Sequence, residues 1–489
     1  MKYLLAIDQG TSSTRAMLYT INGVLVASRQ YPITQYYPQN GWVEHDPEEI
    51  WQKTLTALKE VTSQVDAAHI LGCGLTNQRE TVVVWDKNTG KCLAPAIVWQ
   101  DRRTLNACKA LQSQATLIQQ KTGLLPDPYF SATKLQWLLK NHPEVQTLAE
   151  QGSLAFGTID SFLIWRLTEN QEHLTDYTNA SRTLLFNIHT GHWDEELLRL
   201  FKIPESILPK VYSCDRHFGT IDKKWLGHNI PLVGVAGDQH AALIGQGCYA
   251  DGMIKATYGT GGFLLLNTGE KAVQSSHQLL TTIAYRIKEK TVYGLEGSIY
   301  HAGTTVRWLR DGLGVISASD ETETLACSLE SNQGVYLISS FTGLGAPHWL
   351  SHPGALLYGL SLNTTPAHLA RAALEGVCYQ TREILACMRE DSDLKLSVLR
   401  VDGGMAANQW FLQFLADQCA LQVQKPRDIE TTAKGAAMLA ALGIEAYSSL
   451  EQLQNVWEVE QTYHPVRDET EVAADYKGWQ QALAKLKSS

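Results

Sequence analysis

No CxxC pair occurs anywhere in this chain, and no apolar run approaches the roughly eighteen residues that a membrane-crossing helix needs. The first absence removes zinc-ribbon and thioredoxin-like motifs. The nine cysteines, scattered from Cys73 to Cys419, are an odd count that predicts reduced thiols in a reducing compartment, the cytoplasm. The opening MKYLLAIDQG is too short for a signal peptide. An excess of positive charge is also missing: 41 Lys and Arg are interspersed with 50 Asp and Glu for a net charge of -9. That balance excludes a nucleic-acid surface, which needs concentrated Lys and Arg, but leaves room for an anionic ligand held by backbone amides. Neither GxxxxGK[ST] nor GxGxxG is present, which sets aside P-loop and Rossmann nucleotide sites, and there is no low-complexity segment.

What remains is an ordinary globular composition, 44% apolar and 19% charged, in 489 residues. That is too long for one core, so two large α/β domains are expected. Leu4 to Ile7 reads as a strand, Gly10 to Ser13 as a small polar turn, and Arg15 to Thr20 as the returning strand. Asn22-Gly23 predicts a hairpin into a third strand, Val24 to Ser28. The arrangement recurs later: Leu232 to Ala236 ends in Gly237-Asp238-Gln239, and Met253 to Tyr258 runs into Gly259-Thr260-Gly261-Gly262 before the strand Phe263 to Leu266. This duplication predicts two related domains, residues 1–247 and 248–489, facing each other across a cleft, with the boundary between residues 245 and 252. Pro426 and Arg467 to Glu471 are expected to mark surface loops.

Asp8-Gln9-Gly10-Thr11-Ser12-Ser13-Thr14-Arg15 puts a carboxylate at a strand end, then a glycine, then hydroxyl donors suited to phosphate oxygens. Alone, it reads equally well as a hydroxyl-rich turn. Asp238-Gln239 with Gly259-Thr260-Gly261 supplies a second carboxylate and a second donor turn, so the two loops together fit a triphosphate. Two carboxylates side by side repel unless a cation lies between them, so Asp8 and Asp238 imply Mg²⁺, held largely through water. A third glycine site, Val401 to Asn408, joins a strand to the helix Trp410 to Cys419. It fits either an adenine lying flat on the backbone or close packing of helix on strand.

These segments resemble the FGGY carbohydrate kinases of the actin and hexokinase superfamily over nearly the whole chain. Tyr129 to Trp137 is similar to the first family signature. Ala355 to Leu360, followed by His368-Leu369 and Ala372 to Glu375, is similar to the second. Gly41 to Pro47, Thr76 to Glu80, Trp99 to Arg103 and Asp176 to Arg182 resemble the branch that phosphorylates glycerol. The resemblance implies two duplicated ribonuclease H-like domains and Mg-dependent phosphoryl transfer from ATP to glycerol, by a homo-oligomer of two or four chains. It assigns Arg79, Glu80, Trp99, Tyr129, Asp238, Gln239 and Phe263 to glycerol, with Trp99 and Phe263 as the carbon-facing wall and Asp238 as the base. It assigns Thr11, Ser12, Ser13, Arg15 and Thr260 to the phosphates, Gly303, Arg307, Gly404 and Asn408 to the rest of the nucleotide, and Asp8 with Asp238 to the metal. A triol gives independent reason for this set, since it needs a donor fork (Arg79), an acceptor (Glu80), a mixed partner (Gln239) and an apolar wall.

Two departures stand out. Arg307 occupies a position where family members commonly carry Gln, and His348-Trp349-Leu350 stands where Tyr-Trp-Asp is usual. Many bacterial relatives also regulate through a stretch corresponding to Asp222 to Pro231, by a Gly and Arg site for fructose bisphosphate or by a phosphorylated histidine. Here the stretch has no arginine, and Lys224 falls at the histidine position, so neither switch is expected. Two alternatives remain open: a kinase for a pentulose or gluconate, and an actin-like ATPase without the polyol groups.

Overall fold

The computed structural model describes residues 1–350 and 354–488. The N-terminal apolar runs form β1 (Tyr3–Gln9), β2 (Ser13–Thr20) and β3 (Leu25–Pro32), an antiparallel meander. Gly23, at φ +76°, makes the turn between the last two. Beside β1 lie β4 (Ile70–Asn77) and β5 (Ile230–Gly237), both parallel to it, and the short antiparallel strand Thr220–Ile221 closes the edge. Alternation along β1 sends Leu5 and Ile7 to one face and Leu4 and Ala6 to the other. The first face packs against α1 (Pro47–Thr62), whose start is set by Pro47 and by the Asp46 carboxylate accepting from Glu48 N.

The second sheet repeats the plan. β6 (Met253–Tyr258), β7 (Gly262–Gly269), β8 (Leu280–Ile287) and β9 (Lys290–Ile299) are antiparallel, in the order β8-β9-β7-β6. Then come β10 (Val398–Asp402) and β11 (Val423–Pro426), parallel to β6, and the antiparallel β12 (Val459–Tyr463) at the edge. Strand for strand this matches the first sheet, with β8 added, so the duplicated fold expected from the two loops is present.

Five of the further helices bear on the two sheets and the site: α2 (Asp238–Gly245), α3 (Pro366–Ser392), α4 (Gln409–Cys419), α5 (Thr431–Gly443) and α6 (Glu469–Ser488). The second core gathers apolar residues of β6, β7 and β9 with α3, α4 and Trp479 of α6. α5 does not join it. Its Ala436, Ala437, Leu439 and Ala440 cover the other face of the first sheet, against Leu4, Ala6 and Val233. α5 also crosses α2 so closely that a Cβ on Gly435 would lie 1.8 Å from the Ala241 carbonyl oxygen, and one on Gly245 would lie 1.9 Å from that of Thr431.

Two expectations are corrected. Pro426 is a buried strand end paired with Val459, tolerated because it lies at the terminus of β11 where a missing N–H costs least. Arg467 and Asp468 do form a loop, but Glu469 to Glu471 already belong to α6.

Candidate active site

Four of the seven residues expected for the polyol, Arg79, Glu80, Tyr129 and Asp238, meet at the Arg79 guanidinium. Arg79, two residues beyond the end of β4, donates from Nη2 to Tyr129 Oη at 3.1 Å, and its Nε lies 3.2 Å from Asp238 Oδ1. Its Nη1 donates to Glu296 of β9. Two of its five N–H groups are thus donated to protein and a third faces Asp238, so Arg79 shapes the site as much as it offers a donor fork. Next to it, Glu80 is held at φ +60°, a left-handed conformation that a bulky residue adopts only when its surroundings impose it. Ser131 Oγ donates to its carbonyl oxygen at 3.0 Å and Arg182 Nε to its Oε1 at 2.7 Å, while Oε2 has no hydrogen-bond partner among the described residues. Arg182 also donates to Glu296 Oε1 at 2.6 Å and lies over the Tyr129 and Phe130 rings.

Asp238 opens α2. Its Oδ1 accepts from Gln239 N at 2.7 Å besides facing Arg79, and its Oδ2 is without a protein hydrogen bond among the described residues. The side chain keeps 27% of its surface in the cleft, the most open of the charged groups here. Burial pushes the carboxyl up, while Arg79 and Lys255 pull it back. Burial holds the Tyr129 hydroxyl well above its ordinary value, so it keeps its proton and, having accepted from Arg79, has that proton to donate. Trp99 lies edge-on to Phe263, ring centroids 6.0 Å apart, and tilted to Tyr129 at 5.5 Å, which makes the apolar wall. Its indole Nε1 donates to Thr11 Oγ1 at 2.8 Å, tying that wall to the turn between β1 and β2.

The first loop is a tight turn in which Gly10 N donates to Ser13 O at 2.9 Å; Ser12 is exposed, and Ser13 Oγ accepts from Gln30. Asp8, opposite Arg15 in the ladder, is buried, and its carboxyl is pushed up to about 6 by burial, with Arg15 opposing and Asp238 and Glu430 adding to the rise. The repulsion between Asp8 and Asp238 is what a hard cation would relieve, and carboxylate oxygen is the donor Mg²⁺ takes. Among the described residues there is no group of three or more His, Cys, Asp or Glu able to hold a metal, so these two would need water and phosphate to complete a shell.

On the second side, Gly259 and Thr260 are exposed at the β6–β7 turn, and Gly303 N donates back to Gly259 O at 2.9 Å. Arg307 is exposed, without a carboxylate partner among the described residues, and donates to Thr260 Oγ1 at 3.1 Å. It brings a cation to the Gly259-Thr260-Gly261 turn. Gly404 has nothing within 4 Å of where a Cβ would stand, so its face is open, whereas Gly403, at φ +86°, packs on the Tyr258 backbone. Asn408 caps α4 through Phe411 N at 2.8 Å and reaches Thr322 with its amide nitrogen at 3.3 Å.

Residue-type reasoning missed three groups. Glu296, entirely buried, is shared by both arginines; burial pushes it up, but Arg182 and Arg79 pull it below its ordinary value. Arg182 was visible only as the end of a motif. Lys255 lies buried in β6, where burial pushes its ammonium down to about 8 against the opposing charge of Asp402 and Asp238. The available signal was a lone charge inside an apolar strand, as in Ile254-Lys255-Ala256 and Leu295-Glu296-Gly297. The His348 departure also gains a physical account. Its ring bridges Glu383 of α3 at 3.2 Å and Lys487 of α6 at 3.1 Å, tying its loop to both helices.

Comparison with known proteins finds residues 3–245 matching the FGGY family of carbohydrate kinases, N-terminal domain, and residues 254–444 matching the C-terminal domain of that family. The chain is 51% identical to the glycerol kinase of Alcanivorax borkumensis, over 99% of this chain and 98% of that one. It is 49% identical to the glycerol kinase of Gluconobacter oxydans, over 98% and 94%. Among solved structures, Plasmodium falciparum glycerol kinase with ADP superposes with a TM-score of 0.93 at 37% identity, covering 99% of this chain and 98% of that one. A xylulose kinase from Lactobacillus acidophilus reaches a TM-score of 0.90 at 22% identity over 100% and 98%, a likeness of fold alone.

Proposed function

Because the chain belongs to the FGGY family of carbohydrate kinases, we propose that it transfers the γ-phosphoryl group of ATP to glycerol, giving sn-glycerol 3-phosphate and ADP, the first step of glycerol catabolism. The observation that carries this reading is the cluster of Arg79, Glu80, Tyr129 and Asp238 beside the Trp99 and Phe263 wall, linked through Thr11 to a hydroxyl-rich phosphate loop. The relatives named glycerol kinase at 49 to 51% identity support it.

Phosphoryl transfer asks the protein for in-line positioning, neutralised charge and exclusion of water. Glu80 Oε2 and Asp238 Oδ2 accept substrate hydroxyl protons, Tyr129 donates, and the aromatic wall covers the CH groups. Asp238, oriented through Oδ1 by Arg79 and Gln239 N, takes the proton of the attacking hydroxyl on Oδ2. Thr11, Ser12, Ser13, Arg15, Thr260 and Arg307 hold the phosphates, and Gly303, Gly404 and Asn408 line the rest of the nucleotide. Asp8 and Asp238 would hold Mg²⁺, which when bound neutralises charge on the phosphates. Nine unpaired cysteines support a cytoplasmic setting, and we take the working unit to be a homodimer or homotetramer.

The test is ADP release with glycerol, xylulose, gluconate or no acceptor. Glycerol gives the fastest turnover on this reading; faster turnover with xylulose, or an equal rate without acceptor, overturns it.

A further inference from the structure

Lys255 is a fully buried cation with no carboxylate within ion-pair distance among the described residues. Its ammonium has three protons and no acceptor capacity. All three are used on uncharged oxygens: Gln239 Oε1, Thr257 Oγ1 at 3.1 Å and the Phe263 carbonyl at 3.2 Å. The carboxylates of Asp402 and Asp238 favour the ammonium through their charge, without pairing with it directly. A cation in this position is costly to bury, and an apolar side chain would fill the space more cheaply. What the ammonium supplies is direction.

Because an ammonium cannot accept a hydrogen bond, the Gln239 amide has one orientation open to it, with Oε1 on Lys255 and the NH₂ on the opposite side. Gln239, expected from sequence to be a mixed partner, then has only donors left for a ligand. Lys255 also anchors the backbone of Phe263, whose ring is half of the apolar wall. One buried side chain therefore holds two groups of the site, from α2 and from β7. We propose that Lys255 is a positioning residue for the polyol, fixing Gln239 as a donor-only reader of one substrate hydroxyl oxygen and seating the Phe263 wall. The inference rests on the proposed reading of this cleft as a polyol site.

The experiment uses the intact enzyme and whichever of glycerol, xylulose or gluconate the parent turns over fastest. Lys255→Met frees the amide, so KM for that acceptor rises about tenfold or more while KM for ATP stays within about twofold and kcat falls less than KM rises. Adding Gln239→Ala to Lys255→Met raises KM by less than the product of the two single effects, because most of what Lys255 does passes through that amide and only the rest through the Phe263 wall. Gln239→Glu, which keeps an acceptor for Lys255 but removes the NH₂, also raises acceptor KM, and this variant carries the test if Lys255→Met does not fold. Multiplicative effects in the double variant, an equal rise in KM for ATP, or an unchanged acceptor KM in Gln239→Glu overturn the proposal. A parent that turns over none of the three acceptors overturns the polyol reading and this proposal with it.

Discussion

On the proposed reading, turnover depends most directly on Asp238. Asn in its place keeps the shape and an oxygen for Gln239 N and Arg79, but loses the basic lone pair. Asp238→Asn is therefore expected to lower kcat by at least about a hundredfold, with its thermal unfolding little changed. A steady-state ADP assay on the folded variant checks this. Asp160 allows a different test. It is entirely buried, accepts from Thr158 at 2.5 Å and Thr175 at 2.6 Å, and is pushed from 3.8 up to about 7, first by burial and then by Asp176. The folded chain thus binds this proton more tightly than the unfolded chain. Its stabilising contribution is full below pH 3.8 and is lost as pH rises through about 7. Asp160→Asn, which cannot ionise, should gain on the parent across that window by a few kcal/mol, at about 1.4 kcal/mol per pKa unit. Calorimetric melting at several pH values reads it; a gap independent of pH would remove Asp160 from the account.

At the scale of elements, the crossing of α2 and α5 decides where Asp238 stands. A Gly→Ala change inside a helix ordinarily stabilises by about 1 kcal/mol. At Gly435 the added methyl would meet backbone at 1.8 Å, and overpacking typically costs about 1 to 3 kcal/mol. Gly435→Ala is therefore expected to destabilise and, by pushing α2 aside, to lower kcat as well; urea unfolding and turnover together test it. The segment from Asp222 to Gly227 behaves differently. It is a single turn of helix, Lys223–Leu226, capped by Asp222 and stopped by Gly227 at φ +78°. Lys224 pairs with Glu169 and lies over the Trp225 ring, so it is not a free cation for an anion. With no arginine present, millimolar fructose 1,6-bisphosphate should leave initial rates unchanged; a saturable inhibition curve would contradict this.

Across the whole molecule, the halves are joined at the site by charge. Glu296, from the second sheet, is shared by Arg79 and Arg182 of the first half, all three fully buried or nearly so. Glu296→Gln leaves two buried guanidinium groups with less than their counter-charge. Breaking a buried pair of this kind costs about 3 to 5 kcal/mol, and here the same arginines orient Glu80 and Asp238. Lower stability and a raised glycerol KM should appear together, and saturating glycerol should restore part of the melting temperature by mass action. Loss of one without the other would separate the bridge from the site.

Much of this was legible locally. The two strand-turn-strand loops, the Asn22-Gly23 hairpin and the acid at each strand end follow from steric and hydrogen-bonding needs of a few adjacent residues, so the sequence by itself determined the meander and the two hydroxyl-bearing turns. Gly41 to Pro47 was legible as a motif, but its work as a helix start appeared only with α1 folded. Other facts depend on residues distant in the chain. That α5, from the second half, covers the first sheet could not be read from an Ala-rich helix whose apolar face fits either core. That Lys255 and Glu296 belong to the site, and that Arg79 is largely spent on its neighbours, depends on contacts across as many as 217 positions, as between Arg79 and Glu296. A charge inside an apolar strand announces polar partners, and only the packed structure, where burial makes an unsatisfied charge too costly to keep, decides which: two arginines for Glu296, three uncharged oxygens for Lys255.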